Sequence, residues 1–122
     1  MGINIRVSKN ILVVLNQLYE IEEKLKKNGD PHNLQRNVNK MKDAFNALEE
    51  FGLIYEDPMN QPFKETRTDL EATISGSGTD NLVVVEVIKP IIRAAMREGA
   101  GEFSIVVQKG IVVVESKRES ST

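Results

Sequence analysis

The sequence predicts an α+β fold, an antiparallel helical hairpin followed by a small, mostly antiparallel β domain. Three observations predict it. Apolar residues recur at steps of three and four across residues 11–48. Beyond residue 70 they alternate with polar residues or run together in β-branched stretches. Between these regions, Asp57-Pro58, Asn60 and Pro62 form a turn-rich break. The reading divides the chain into residues 1–53, helical, and residues 54–122, β.

Ser8 is placed to cap the first helix, its hydroxyl accepting an orphan backbone N–H. Ile11, Val14, Leu15, Leu18, Ile21 and Leu25 then form one stripe. Lys24, Lys26 and Lys27 gather where the helix dipole favours cations, and Asn28-Gly29 supplies a left-handed stop. Asp30 caps a second helix, with Pro31 in its first turn and Gly52 as its end. Leu34, Val38, Met41, Phe45 and Leu48 follow the four-three alternation of a heptad.

A two-helix hairpin has no closed core. Each Leu-sized side chain left wet forgoes about 1.5–3 kcal/mol. A second copy completing a four-helix bundle would cover the stripes, and so would the chain's own second half. The pattern favours the homodimer, with Ile11, Leu15, Leu18, Leu34, Val38, Met41, Phe45 and Leu48 at its interface.

Leu70 to Ile74 alternates as a half-buried strand does. Gly76-Ser77-Gly78-Thr79-Asp80-Asn81 reads as a mobile hairpin connection, and residues 82–88 as a strand with Glu86 inside it. Residues 103–107 and 111–114 flank Gln108-Lys109-Gly110, a hairpin signature. For residues 90–98 the reading is a short helix or irregular turn, opened by Pro90, favoured by Ala94, Ala95 and Met96, and closed by Gly99. Residues 116–122 are a polar, frayed tail.

The charge balance excludes some functions. The net charge of −2, with both signs interleaved, offers no basic field for a nucleic-acid backbone. Without Cys there is no disulfide, thiolate nucleophile or thiolate zinc site. No apolar run reaches the ~20 residues of a membrane span. The first six residues lack a leader core, and Arg6 stands where a myristoylation signal has Ser or Thr. A cytoplasmic setting is the expectation.

The search for chemistry returns little. His32, the only histidine, falls in the first turn of the second helix and reads as a surface residue. Gly76-Ser77-Gly78 lacks the Gly-Lys-Ser/Thr of a phosphate loop. Asp69 and Glu71 would share a strand face, but acid–base work needs burial to part their pKa values. Glu56-Asp57 is the other close pair. No catalytic residue, metal ligand or cofactor is assigned. Lys89, Arg93, Arg97 and Lys109 lie in or beside apolar segments. They fit edge protection and the charged rim of a partner face equally well.

The ordered motifs resemble the C-terminal portion of the GrpE family, the nucleotide exchange factors of DnaK-type chaperones. Ile11-Leu12-Val13-Val14-Leu15-Asn16-Gln17-Leu18 is similar to the family's first bundle helix, and Met41 through Phe51-Gly52-Leu53 to its second. Gln61-Pro62-Phe63 resembles its Pro-Phe step, Glu71-Ala72 the end of its His-Glu-Ala, and Ile111-Val112-Val113-Val114 its last strand. Val84-Val85-Glu86-Val87-Ile88-Lys89 resembles its Val-Val-Glu-Val segment. The family's Asp-Pro is replaced here by Lys64-Glu65, and its Lys-Gly-Tyr by Lys89-Pro90-Ile91.

The resemblance implies a dimeric co-chaperone whose β domain binds the chaperone's nucleotide-binding domain and opens it to release ADP. It places Phe63, Glu71, Glu86, Lys89 and Lys109 at the partner face. The altered positions motivate an alternative, a dimeric adaptor that kept the scaffold and changed partner.

Overall fold

A computed structural model of the chain describes residues 6–48, 51–98 and 101–117. The expectations placed on residues 1–5, on Gly99 and on residues 118–122 lie outside them. The fold is α+β. Two helices, α1 (Lys9–Asn28) and α2 (Leu34–Asn46), precede six strands: β1 (Gly52–Glu56), β2 (Leu70–Ser75), β3 (Leu82–Lys89), β4 (Ile91–Glu98), β5 (Gly101–Gln108) and β6 (Gly110–Ser116). The strands are mostly antiparallel and form two sheets, ordered β1-β4-β5 and β2-β6-β3.

The chain forms two compact units, and neither is continuous in sequence. The first comprises Met1–Tyr55 and Ile92–Val107, the second Glu56–Ile91 and Gln108–Thr122. The helices therefore belong with β4 and β5, not to a free-standing hairpin ending at residue 53.

In the first unit, Ser8 caps α1 by accepting the Asn10 N–H at 3.2 Å. Gly29 ends it at φ +84°, its N–H reaching the Leu25 carbonyl at 2.9 Å. The second helix starts at Leu34, three residues later than the sequence suggests. Asn33 is left-handed at φ +56°, a conformation that cannot propagate a right-handed helix. Asp30 still caps, across the turn, accepting the N–H of Leu34 at 2.7 Å and of Gln35 at 2.9 Å. His32 is exposed in that turn, ahead of the helix.

The core of this unit joins Leu15, Leu18, Val38, Leu53, Ile92 and Ala94. Leu53 comes from β1, where the sequence suggests only a linker. Gly52 does not stop α2; it lies in β1, where an added methyl would sit 2.5 Å from the Asn46 carbonyl oxygen. Only a bare Cα admits that approach of strand to helix end.

The expected helix or turn over residues 90–98 is strand β4. Its place between β1 and β5 satisfies its backbone on both sides. Ile92 and Ala94, two apart and both fully buried, turn one face of it to the core. Packing outweighs the helix preference of its alanines. The expected hairpin at Gln108-Lys109-Gly110 is also absent. β5 pairs in one sheet and β6 in the other, so Lys109 joins two sheets.

In the second unit β6 is central, parallel to β2 and antiparallel to β3. β2 and β3 flank it, so residues 76–81 do not form a tight hairpin. The end of that loop is fixed to β6: the Lys117 N–H meets the Asn81 carbonyl at 3.0 Å, and the Ser116 hydroxyl donates to the Asp80 carbonyl. The outer edge of β3 is lined by residues 60–63. The Phe63 N–H donates to the Leu82 carbonyl at 2.8 Å, and the Val84 N–H to the Gln61 carbonyl at 3.0 Å.

Candidate protein-interaction face

Strand register sorts the second unit's side chains onto two faces, because aligned residues on neighbouring strands project to the same side. Leu70, Val112, Val114, Leu82 and Val84 share one face and are all buried. The opposite face is open. Across it runs a row Glu71–Ile111–Lys89, then Thr73–Val113–Glu86, then Ser75–Glu115–Val83. Register shifts between Val84 and Glu86 and between Val87 and Lys89 let β3 turn Glu86 and Lys89 outward from a nearly unbroken apolar run.

Three of the five partner-face residues, Glu71, Glu86 and Lys89, thus meet on this open face, and all three are exposed. Lys109 is exposed just before β6. Phe63 is half-buried, held by its backbone along β3. Ile111, Val113 and Val83 are half-buried between the charges, and Val85 is 39% exposed. Asn60, Val83, Val85, Glu115, Ser116 and Lys117 line an open groove of about 370 Å³.

The acid pair Asp69 and Glu71 is divided. The Arg67 guanidinium takes both Asp69 oxygens at 2.9 Å and also reaches Gln61 at 3.0 Å. That bond to Asp69 is the main reason the Arg67 pKa is raised, against a smaller opposing effect of burial. Glu71 is left exposed.

The first unit carries two rows of exposed apolar side chains. Leu34, Met41 and Leu48, spaced by seven, are 40–46% exposed. Val14 and Ile21, also seven apart, are 45% and 40% exposed. Leu15, Leu18 and Val38 point into the unit's own core, with Ile11 and Phe45 packed against it. Of the expected dimer residues, only Leu34, Met41 and Leu48 are left largely outside.

Sequence reasoning missed a buried polar cluster. Glu22 of α1, 9% exposed, accepts from the Tyr55 hydroxyl, from the Gln35 amide at 2.8 Å and from the Lys42 ammonium at 3.1 Å. Tyr19 stacks edge-on against Tyr55 at 5.9 Å, and the Lys42 ammonium lies 4.9 Å from the Tyr55 ring centre. Every acceptor bond ties one element to another, α1 to α2 or α1 to β1. Its partners lie on structural elements, away from any open cleft, which fits a structural role. A signal existed: 15, 18, 22 and 25 continue one helical row, and position 22 carries a carboxylate.

Among the described residues no group of three or more His, Asp or Glu side chains converges as a metal site, and no helix is long and apolar enough to cross a membrane. No family model matches the chain, and no curated protein or solved structure matches it.

Proposed function

We propose that the chain is a cytoplasmic co-chaperone, a GrpE-like nucleotide exchange factor that binds the nucleotide-binding domain of a DnaK-type chaperone and promotes ADP release. One observation carries the reading. Glu71, Glu86 and Lys89, drawn from motifs far apart in sequence, meet on one open sheet face. Such a face, aliphatic in the middle and charged at its margins, is what a protein interface presents. The reading needs no enzyme chemistry. A factor that binds the open cleft more tightly than the closed one shifts the population toward open. Nucleotide must then weaken factor binding by the same ratio.

The test is the rate of ADP release from a DnaK-type chaperone. The chain is expected to accelerate it, and Glu86→Ala with Lys89→Ala to cut the acceleration at subsaturating concentration about tenfold, as loss of ~1.4 kcal/mol would. Both residues are exposed, so folding stability should stay within about 0.5 kcal/mol. No acceleration at saturation rejects the activity. A pull-down that recovers a different protein and no chaperone would instead favour the adaptor.

The proposed homodimer uses the rows Leu34, Met41, Leu48 and Val14, Ile21. Burying a seven-residue repeat against its twofold copy is the geometry of a four-helix bundle. Light scattering should report a dimer, and Leu34→Glu with Met41→Glu a folded monomer. A wild-type monomer at micromolar concentration would reject this assembly.

A further inference from the structure

We propose that the open face of β2-β6-β3 recognises an arginine- or lysine-bearing apolar surface of its partner, with the cationic head set over Val113 among Glu71, Glu86 and Glu115. The inference rests on reading this face as the partner site. Val113 is the centre of the pattern: Glu86 lies directly across on β3, Glu115 two residues along β6, and Glu71 diagonally on β2. Pleated-sheet spacing puts all three within about 8 Å of Val113, inside the reach of a Glu side chain.

None of the three carboxylates makes an ion pair among the described residues. The aliphatic floor is the second observation. Val83 and Val85 line the groove that opens beside Glu115. A long methylene stem can lie on that floor while its charged end meets the carboxylates, as Arg and Lys side chains do. A forked guanidinium suits two carboxylates better than a point charge does. Lys89 and Lys117 stand at opposite ends of the face, not at its centre. They favour a single central cation over a uniformly basic partner.

The probe is a short amphipathic peptide of Leu and Arg, compared with one of Leu and Glu, titrated into the full chain. The Arg peptide should shift the amide signals of Val83, Val113 and Glu115. Its affinity should fall about tenfold in the triple variant Glu71→Gln, Glu86→Gln, Glu115→Gln, from three exposed charge pairs of ordinary strength. The control Glu20→Gln, Glu23→Gln, Asp43→Asn removes equal charge from the helices and should leave binding unchanged. Equal binding of the Glu peptide, or equal weakening in the control, overturns the proposal.

The chaperone supplies a second arm. If it binds, the Gln triple variant should weaken binding and reduce its salt dependence. Unchanged affinity there overturns the acidic recognition and leaves the exchange activity standing. A chaperone that never binds removes the exchange reading, and the peptide arm still decides the chemistry of the face.

Discussion

Truncating Leu53 to Ala will lower the stability of the chain by about 2–5 kcal/mol, seen as a lower urea midpoint at little-changed slope. Leu53 is 1% exposed and packs in the core of Leu15, Leu18, Val38, Ile92 and Ala94. Its removal leaves a cavity whose walls, a helix pair and a sheet, are fixed by hydrogen bonds and close only in part. The next residue is the control. Ile54 is 39% exposed, and Ile54→Ala should cost well under half as much. Neighbours with opposite fates are what a strand demands, because successive side chains point to opposite faces. Equal, small losses at both positions would mean that β1 is a linker and that the helices find their cover elsewhere. That second outcome would return Leu15, Leu18 and Val38 to the dimer interface, so the experiment also separates the two ways of closing the helical stripes.

The contrast between Leu53 and the helices shows which parts of this fold can be read from sequence. The helices carry their own signal, in the spacing of Leu15, Leu18 and Leu25 and in the caps Ser8 and Gly29. Leu70 to Ile74 and residues 82–88 are equally legible, because burial on one face dictates local composition. Three features depend on partners distant in the chain and leave no local trace. β4 contains Ala94, Ala95 and Met96, a helix-favouring run, and becomes a strand because β1 and β5 take its backbone. Gln108-Lys109-Gly110 has the composition of a turn, yet the strands on either side pair elsewhere. The heptad of α2 marks its apolar positions correctly, but spacing alone cannot divide Val38, turned inward, from Leu34 and Met41, turned outward. Of the candidate face, Glu71, Glu86 and Lys89 came from motif resemblance. Glu115 did not, because only the register with Val83 brings it there.

Replacing Glu22 with Ala will cost about 2–3 kcal/mol, since it strands the Tyr55 hydroxyl, the Gln35 amide and the Lys42 ammonium together. Lys42 is 38% exposed and can turn to water, which keeps the loss below that of a fully buried pair. Glu22→Gln keeps an acceptor for Tyr55 and removes the charge, so about half the loss is expected. The pH dependence follows from the same bonds. Burial works against the Glu22 charge, but hydrogen bonds from Tyr55, Gln35 and Lys42, and the charge of Lys42, outweigh it and hold the carboxyl below its ordinary 4.5. As pH falls, the unfolded chain therefore takes up its proton first. The stabilisation is whole above about pH 4.5 and drains away as pH drops through the folded value. Tyr55 works at the other end. Burial, then its bond to Glu22, raises its pKa well above the ordinary 10.0, so its share is whole below that pH and is lost as pH climbs beyond it. Urea midpoints of the wild type, Glu22→Gln and Tyr55→Phe across both ranges should show the acid slope reduced in the first variant and the alkaline slope in the second. An acid slope identical in wild type and Glu22→Gln would show that the carboxylate does not hold α1 to α2 and β1.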